Sequence, residues 1–359
     1  MAKSQNFLGV DLGIGSIKLI ELKNENKRAR LVTYGFTEQV FDIVKSDLDE
    51  NKKEIANLLK KICEKARTST SVAVTALPAS EVFTSIIGIS NVEKKDLASP
   101  KMLLPIIERE AAKILPLPIA EMVLDWKVID SKGTGDAGDK ILKNVKLLLT
   151  AAPKSLIKKY IEIFKLAGLN ILSLETESFA LIRSLIGNDK STITIVDLGA
   201  TKTNITIVNN GIPFLTRSIN VGGQSITKAI SESLSINSDQ AEQLKTDVGL
   251  PIIGNENEDS APQIIESLLA PIVSEIKYCF ELYGSENNNA KTNIDKIVLC
   301  GGGALLPNLS EYLSNALNMR IYVGDPWARM LCPDELRPVL EEIGPRLAVA
   351  IGLAMREIE

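Results

Sequence analysis

The chain has 359 residues, which corresponds to two or three domains at about 100–200 residues each. Its 41 basic and 45 acidic residues give a net charge of −4, so no general field attracts nucleic acid or anionic lipid. Histidine is absent from the sequence, which excludes Ser-His-Asp and Cys-His catalysis and histidine-ligated metals. The sequence predicts neither a disulfide framework nor a zinc site, because its cysteines are far apart: Cys63, Cys279, Cys300 and Cys332.

The first part of the chain predicts three strands, a helix and a further strand. "FLGVDLG" and "SIKLIELK" predict strands joined by a glycine-rich corner, and "ARLVTYGFTEQV" predicts a third strand. Residues 51–67 have apolar side chains at helical spacing, and "SVAVTAL" is typical of a short buried strand. The N-terminus has no signal-peptide core and no apolar run is long enough for a membrane helix, so we expect a cytosolic protein.

Residues 80–168 differ in pattern and predict an inserted subdomain. "EVFTSIIGIS" predicts a strand and "LLPIIEREAAKIL" a helix. "EMVLDWKVID" and "NVKLLLTAA" predict strands on either side of a flexible segment at residues 131–140. "SLIKKYIEIFKLAGL" predicts a helix that ends at Gly168.

The pattern of the N-terminal strands then recurs. "NILSLETESFALIRSLIG" predicts a strand that leads into a helix, and "STITIVDLGATKTNITIVNNG" repeats the order strand, aspartate, glycine, lysine, strand. Asp197 lies 186 positions after Asp11 (197 minus 11). A repeat on this scale indicates two similar α/β halves.

The remaining residues predict a helical region and a last strand–helix unit. Residues 225–283 predict helices with a loop at 251–263. "IDKIVLCGGGALLPNLSEYLSNAL" predicts a strand, a glycine loop and a helix that begins at this loop. "MRIYVGDP" predicts another strand, and "IGPRLAVAIGLAMREI" a closing apolar helix.

The three glycine corners carry the chemistry. Glycines at 13 and 199 permit tight turns whose backbone N–H groups can approach phosphate oxygens. A carboxylate at the end of each strand, Asp11 and Asp197, can hold Mg²⁺ through its waters. The third corner, residues 301–303, would let a base or ribose lie against the backbone. Two matching aspartate corners followed by a glycine triplet therefore predict a nucleotide site.

This order of motifs resembles the actin-like ATPase superfamily, and within it the PilM family of type IV pilus assembly proteins. The resemblance covers essentially the whole chain and includes "VDLGATKTNI", "VGGQSITKAI", "CGGGALLPNL" and "RLAVAIGLAMR". It implies an α/β protein with the actin-like ATPase fold, in which two duplicated α/β halves carry an FtsA-type 1C subdomain inserted in the first half.

The resemblance also implies subdomain boundaries. We expect 1–79 as the first part of subdomain 1A, 80–168 as 1C, 169–189 as a return to 1A, 190–225 as the first part of 2A, 226–290 as 2B, 291–335 as the second part of 2A, and 336–359 as the closing helix of 1A.

By the same resemblance, the first phosphate motif comprises Asp11, Gly13, Gly15, Ser16 and Lys18. The second comprises Asp197, Gly199, Thr201 and Thr203. The ribose and base are expected at Glu242, Lys245, Gly301, Gly302 and Gly303. Glu177 matches the position that orients the attacking water in hydrolysing relatives, and the implied cofactors are ATP and Mg²⁺, with Asp11 and Asp197 as metal ligands. Ile14 departs from the small or hydroxyl residue usual at its position, so we expect reduced ATP affinity.

Several of these residues also have simpler interpretations. Lys18 is equally well explained as a solvated strand residue. Glu177 fits an acid at a helix N-terminus, where the helix dipole favours it. Glu242 and Lys245 are three positions apart and fit a surface helix pair.

The resemblance implies an ATP-binding component of the type IV pilus assembly platform, with at most slow ATPase activity. The expected partner is the N-terminal tail of a PilN-like bitopic membrane protein, inserted between 1A and 1C. The chain is then peripheral to the inner membrane through that partner, without direct membrane insertion or nucleic-acid binding. Contacts with other platform or motor proteins, and self-association, are left open.

Two other functions fit parts of the sequence. An FtsA-like filament-forming division protein shares the 1C insertion, but its usual terminal membrane helix has no counterpart after the closing helix. A sugar- or acetate-kinase-type phosphotransferase needs a general base near the γ-phosphate, usually an aspartate, and no acid lies in a clear substrate-lobe context.

Overall fold

The computed structural model describes residues 5–38, 43, 49–90, 92–93, 95–130, 141–142, 145–250, 260–286 and 294–358. The chain forms two compact units: unit 1 comprises Met1–Ala79 and Glu162–Glu359, and unit 2 comprises Ser80–Ile161. Unit 2 therefore shares residues 80–161 with the predicted insertion, whereas residues 162–168 belong to unit 1. The finer division into subdomains stays a prediction.

Before the insertion, unit 1 contains β1 (Asn6–Gly13), β2 (Ser16–Glu25), β3 (Arg28–Phe36), α1 (Asp49–Ala66) and β4 (Val72–Leu77). The insertion contains β5 (Phe83–Ile89), β6 (Val92–Glu93), α2 (Pro100–Ala111), β7 (Met122–Asp130), β8 (Ile141–Leu142) and β9 (Val145–Pro153). Helix α3 (Lys154–Leu166) begins in unit 2 and ends in unit 1.

The second part of unit 1 begins with β10 (Asn170–Thr176), α4 (Glu177–Leu181) with a π-helical turn at Ile182–Ile186, β11 (Ile193–Leu198), β12 (Thr203–Asn209) and β13 (Ile212–Ile219). It continues with α5 (Gly223–Leu234), α6 (Ser238–Val248), α7 (Ser260–Glu286), β14 (Lys296–Cys300), α8 (Leu309–Leu317), β15 (Ile321–Val323), β16 (Met330–Leu331) and α9 (Arg337–Met355).

The two sheets of unit 1 share one topological pattern, which confirms the predicted duplication. The six-stranded sheet has the order β10-β4-β1-β2-β3-β16, and the five-stranded sheet has the order β13-β12-β11-β14-β15. In the first sheet β1 pairs antiparallel with β2 and parallel with β4; in the second, β11 pairs antiparallel with β12 and parallel with β14. The aspartates of the two predicted corners therefore occupy equivalent hairpins.

Helix α9 holds the two halves of unit 1 together. A side chain at Gly9 of β1 would collide with the backbone of Ala350, and one at Gly352 would collide with the backbone of Ala180 in α4. These glycines let the helix backbone lie directly on its neighbours. One buried cluster combines Ala348, Val349 and Leu353 of α9 with apolar residues from both sheets.

Unit 2 has its own sheet and core. Strand β9 lies in the middle of a three-stranded sheet, antiparallel to both β5 and β7. Helix α2 contributes Leu103, Ile107 and Ala111 to a buried cluster with residues of β5 and β9. The predicted order of strands and helices in the insertion agrees with the longer of these elements, whereas the two-residue strands β6 and β8 were not predicted. The predicted flexible segment at 131–140 lies outside the described residues.

Some predicted boundaries were wrong. The loop expected at 251–263 is too long, because α7 already begins at Ser260; residues 251–259 lie outside the described part of the chain. The third glycine corner opens a short 3₁₀ turn, Gly302–Leu305, and α8 starts only at Leu309. Among the described residues, no helix combines the length and the apolar character that a membrane crossing requires.

Candidate functional site

The first glycine corner joins β1 to β2 and pairs an acid with a base. Asp11 lies opposite Lys18 in the hairpin register, and Lys18 Nζ donates to Asp11 Oδ2 at 2.9 Å. The exposed fractions of these side chains are 7% for Asp11 and 19% for Lys18, so the ion pair is largely shielded from water. A Cβ atom at Gly13 would lie 3.4 Å from Lys18 Nζ. Because Gly13 has no side chain, the space beside the Lys18 ammonium stays free. Lys18 is largely buried and is therefore not a solvated strand residue.

The second corner joins β11 to β12 and carries Asp197. Asp197 lies opposite Asn204 of β12 and next to Cys300 of β14 in the sheet register. Both side chains interact favourably with its carboxylate and lower its pKa. The predicted phosphate residue Thr203 is fully buried, and its hydroxyl donates to the carbonyl of Val221 at 2.7 Å. The Thr203 hydroxyl is thus used in a hydrogen bond within the core, whereas Thr201 is partly exposed at the corner.

The start of α5 is bound to the second corner. Gly223 N donates to the carbonyl of Gly199 at 3.0 Å, and Gln224 N donates to that of Ala200 at 2.8 Å. A Cβ atom at Gly222 would lie 2.6 Å from the Ala200 carbonyl oxygen, so only glycine allows this approach. The glycine pair 222–223 therefore fixes the position of the second corner relative to α5.

The three corners meet in one region. A Cβ atom at Gly15 of the first corner would collide with the Cβ atom of Ala200 in the second. Gly301 has a φ of +80°, and a side chain there would collide with the Asp197 carboxylate. A Cβ atom at Gly303 would lie 2.8 Å from that of Leu198. Motifs that are far apart in the sequence thus touch through glycines.

Glu177, the first residue of α4, lies beside both aspartates. Its Oε2 atom accepts a hydrogen bond from Ala79 N at 2.8 Å and one from Asn204 Nδ2 at 3.3 Å. Burial raises the pKa of Glu177 to about 8, and the negative charges of Asp11 and Asp197 add to this effect. Glu177 is therefore more than an acid at a helix terminus, because it contacts the backbone of the last residue before the insertion.

The same surroundings affect the other ionisable groups. Burial raises the pKa of Asp197 to about 6. The positive charge of Lys18 lowers this pKa, and the negative charge of Asp11 partly offsets that lowering. Burial alone would lower the pKa of Lys18, but its ion pair with Asp11 outweighs burial and raises it. Even with Glu177 protonated at neutral pH, the carboxylates of Asp11 and Asp197 outnumber the one ammonium of Lys18, and this excess of negative charge favours a bound cation.

The predicted ribose residues are not a simple surface pair. Lys245 of α6 is buried, and its Nζ atom donates to Glu242 Oε2 at 2.6 Å, to Thr227 Oγ1 at 2.9 Å and to the carbonyl of Gly223 at 3.3 Å. Burial opposes ionisation of Glu242, but the hydrogen bonds from Lys245 and Thr227 prevail and lower its pKa. Lys245 therefore connects α6 to the start of α5 beside the second corner.

The chemistry of the site fits a nucleotide held with Mg²⁺. No group of three or more acidic or cysteine side chains in the described residues could hold a metal by itself. Mg²⁺ ordinarily takes one or two carboxylates together with phosphates and several waters. Asp11 and Asp197 supply such a pair of carboxylates, and the glycine corners leave room for backbone contacts to phosphates.

Comparison with known proteins identifies the family of the chain. The family model for type IV pilus assembly protein PilM matches residues 9–358. The chain belongs to the PilM family. In a solved PilM-PilN type IV pilus biogenesis complex, a chain of 23% identity superposes with a TM-score of 0.82, and the match covers 98% of each chain.

More distant relatives share the fold. Cell division protein FtsA of Streptococcus pneumoniae is 24% identical over 353 residues, which covers 89% of this chain and 76% of that protein. The structure of MreB5 of Spiroplasma citri bound to AMPPNP superposes with a TM-score of 0.55 at 13% identity, covering 98% of this chain and 95% of that one. These similarities confirm the actin-like fold.

The sequence alone did not point to several neighbours of the site. Asn204 bridges Asp197 and Glu177, Thr227 completes the contacts of Lys245, and Arg346 of α9 lies over Gly302. Thr227 lies in the motif "VGGQSITKAI", and Asn204 lies opposite Asp197 in the hairpin. The sequence pattern could therefore have indicated Thr227 and Asn204 as neighbours of the site. Arg346 begins the motif "RLAVAIGLAMR", but its place over Gly302 depends on the packing of α9.

The raised pKa of Glu177 predicts a pH-dependent stability. The pKa rises from 4.5 to about 8, so between these values the folded protein keeps a proton that the unfolded chain releases. Stability conferred by the neutral carboxyl therefore falls as pH rises through this range. Glu177→Gln keeps a neutral acceptor for Ala79 N and removes this loss. At pH 9 without Mg²⁺ or nucleotide, we expect the variant to be more stable than wild type by at least about 1 kcal/mol.

Thermal unfolding at pH 5 and pH 9 in a chelating buffer measures the effect. The difference between variant and wild type should be small at pH 5 and grow toward pH 9. Glu232→Gln, at an exposed glutamate that pairs with Lys228 on α5, serves as the matched control and should show no such trend. A Glu177→Gln variant that is equally or less stable than wild type at pH 9 would contradict the assignment.

Proposed function

We propose that this protein is the ATP-binding component of the type IV pilus assembly platform and binds the cytoplasmic tail of a PilN-like membrane protein. The observation that carries the proposal is the convergence of three glycine corners and two aspartates in one region of a PilM-family chain. ATP binding is the function of this region, and the inserted unit 2 provides the surface for the partner.

In this proposal the backbone of residues 13–16 and 199–201 contacts the phosphates of ATP. Lys18 lies beside the first corner, where its ammonium balances phosphate charge in addition to Asp11. Asp11 and Asp197 hold Mg²⁺ through its waters, and Mg²⁺ neutralises part of the phosphate charge. Gly301–Gly303, Glu242 and Lys245 are assigned to the adenosine.

Hydrolysis is slow at most in this proposal. Glu177 is positioned to orient a water, but at neutral pH its raised pKa keeps it largely protonated in the absence of Mg²⁺. A protonated carboxyl cannot accept a proton from water, so only the deprotonated minority of Glu177 side chains can act as a base under these conditions. ATP then serves mainly as a bound ligand that favours one arrangement of the two halves.

Unit 2 has surface features suited to an extended peptide. Its sheet ends in the edge strands β5 and β7, and an edge strand can pair with an added strand. Exposed apolar side chains in unit 2 include Met102, Leu104, Ile114, Leu117 and Val123. A short tail can pair with the edge through its backbone and place side chains on this apolar surface. The solved PilM-PilN complex supports a PilN-like partner. Membrane attachment in this proposal is through that partner.

The nucleotide part of the proposal predicts that the two aspartates are needed for binding. Asp11→Asn and Asp197→Asn each keep side-chain size while removing a charge that holds Mg²⁺. We expect each to weaken Mg²⁺-ATP binding at least about tenfold in calorimetry, equivalent to about 1.4 kcal/mol. Asp334→Asn, at an exposed aspartate before α9, is the control and should bind as wild type does. Undetectable ATP binding by wild type at millimolar concentration, or unchanged binding by both variants, would show the proposal to be wrong.

The partner part predicts a docking surface on unit 2. Val123 of β7 and Val323 of β15 are matched exposed strand valines, with exposed fractions of 44% and 42%. We expect Val123→Asp to weaken binding of a labelled PilN-like tail peptide about tenfold in fluorescence anisotropy, because the charge disrupts an apolar contact. Val323→Asp, in unit 1, should bind the peptide as wild type does.

The opposite pattern, in which Val323→Asp weakens peptide binding and Val123→Asp does not, would place the partner on unit 1. Filament formation by wild type without any peptide binding would favour an FtsA-like function instead.

A further inference from the structure

Three side chains form a row across the five-stranded sheet. Asp197 of β11 lies directly opposite Asn204 of β12, and Asn204 lies directly opposite Ser218 of the edge strand β13. Side chains of directly opposite residues project from the same face of a sheet, with Cβ atoms about 4.5–5.5 Å apart. The register therefore places Asn204 between the proposed metal ligand Asp197 and the hydroxyl of Ser218.

The amide of Asn204 is held at its oxygen. Ser218 Oγ donates to Asn204 Oδ1 at 2.5 Å. A side-chain amide has one acceptor oxygen and one NH₂ group, so a bond that fixes the oxygen directs both N–H donors away from Ser218. Asn204 Nδ2 donates to Glu177 Oε2 at 3.3 Å, and Asn204 also interacts favourably with the carboxylate of Asp197. One hydroxyl thus orients an amide that faces two acidic side chains.

An amide suits this position better than a carboxylate of the same size. Aspartate at position 204 would add another negative charge beside Asp197 and Glu177, where Asp11 already acts on both groups. Like charges at such short distances repel each other strongly when they are buried. The amide supplies donors without adding charge, and a donor that contacts a carboxylate restricts the rotation of that carboxylate.

We propose that Asn204 and Ser218 are positioning residues for Asp197. Ser218 fixes the amide of Asn204, and the amide holds the Asp197 carboxylate in the orientation that binds the waters of Mg²⁺. The inference rests on the proposed binding of Mg²⁺-ATP and adds two residues that lie outside the three glycine corners. In this role both residues act through Asp197 and neither acts on the nucleotide directly.

A comparison of Mg²⁺-ATP with Ca²⁺-ATP separates positioning from a general loss of structure. Mg²⁺ demands near-ideal octahedral geometry, whereas Ca²⁺ accepts more ligands in flexible arrangements. A misoriented Asp197 should therefore weaken the binding of Mg²⁺-ATP more than that of Ca²⁺-ATP. We expect Asn204→Ala to weaken Mg²⁺-ATP binding about tenfold in calorimetry, and Ca²⁺-ATP binding by less than about threefold.

Variants of Ser218 test the second step. We expect Ser218→Ala to weaken Mg²⁺-ATP binding about threefold, whereas Ser218→Thr keeps the hydroxyl and should bind as wild type does. Because Ser218 acts through Asn204, the double variant Asn204→Ala/Ser218→Ala should lose no more affinity than Asn204→Ala alone. Thr216→Val is the matched control on the same strand, since it removes a hydroxyl that contacts Ser178 and Thr206, and it should bind as wild type does. Thermal unfolding without nucleotide verifies that each variant is folded.

Several results would overturn the inference. Equal losses for Mg²⁺-ATP and Ca²⁺-ATP would show a general loss of structure, and a Ser218→Ala loss that multiplies the Asn204→Ala loss would show that Ser218 acts independently. A loss of Mg²⁺-ATP affinity below about twofold for Asn204→Ala would remove the positioning role altogether. These outcomes differ from failure of the proposed function, because in that case wild type itself binds neither complex.

Discussion

The candidate site depends on the excess of carboxyl groups around Lys18. Asp11, Asp197 and Glu177 come from three separate segments, yet all three carboxyl groups lie near the single ammonium of Lys18. Lys18 Nζ donates to Asp11 Oδ2 at 2.9 Å. Burial makes this arrangement costly for the charged forms, and Glu177 and Asp197 respond with raised pKa values. A metal ion beside Asp11 and Asp197 would offset the negative charge that the protein alone leaves in excess, so the electrostatics fit the metal of the proposed ligand.

Glycines make this convergence possible. The second corner is packed against the first at Gly15, against α5 at Gly222, and against the third corner at Gly301 and Gly303. Gly302 differs, because its outer side is open except for Arg346. Buried glycines thus bring the corners together, while the open one leaves a surface for a ligand. Helix α9 contributes to both roles, since it packs on β1 and α4 and also positions Arg346.

The sequence was sufficient to predict the corners and the duplicated halves, because each corner follows a buried strand and the pattern recurs. It was less informative wherever a contact joins distant segments. Thr203 matched the phosphate motif, but its place in β12 directs its hydroxyl to Val221. The contact of Glu177 with Ala79 depends on where the insertion leaves the sheet, and that of Arg346 with Gly302 depends on the register of α9. Local propensity determines neither, because both arise from tertiary packing.

The most direct test of the central claim is to locate the metal. Crystals grown with a non-hydrolysable ATP analogue and Mn²⁺, which binds oxygen ligands as Mg²⁺ does, would show the ion by its anomalous scattering. The account predicts one strong peak beside the carboxylates of Asp11 and Asp197, with phosphate density along the first two glycine corners. Nucleotide density with the ion remote from both carboxylates, or phosphates bound away from the corners, would contradict it.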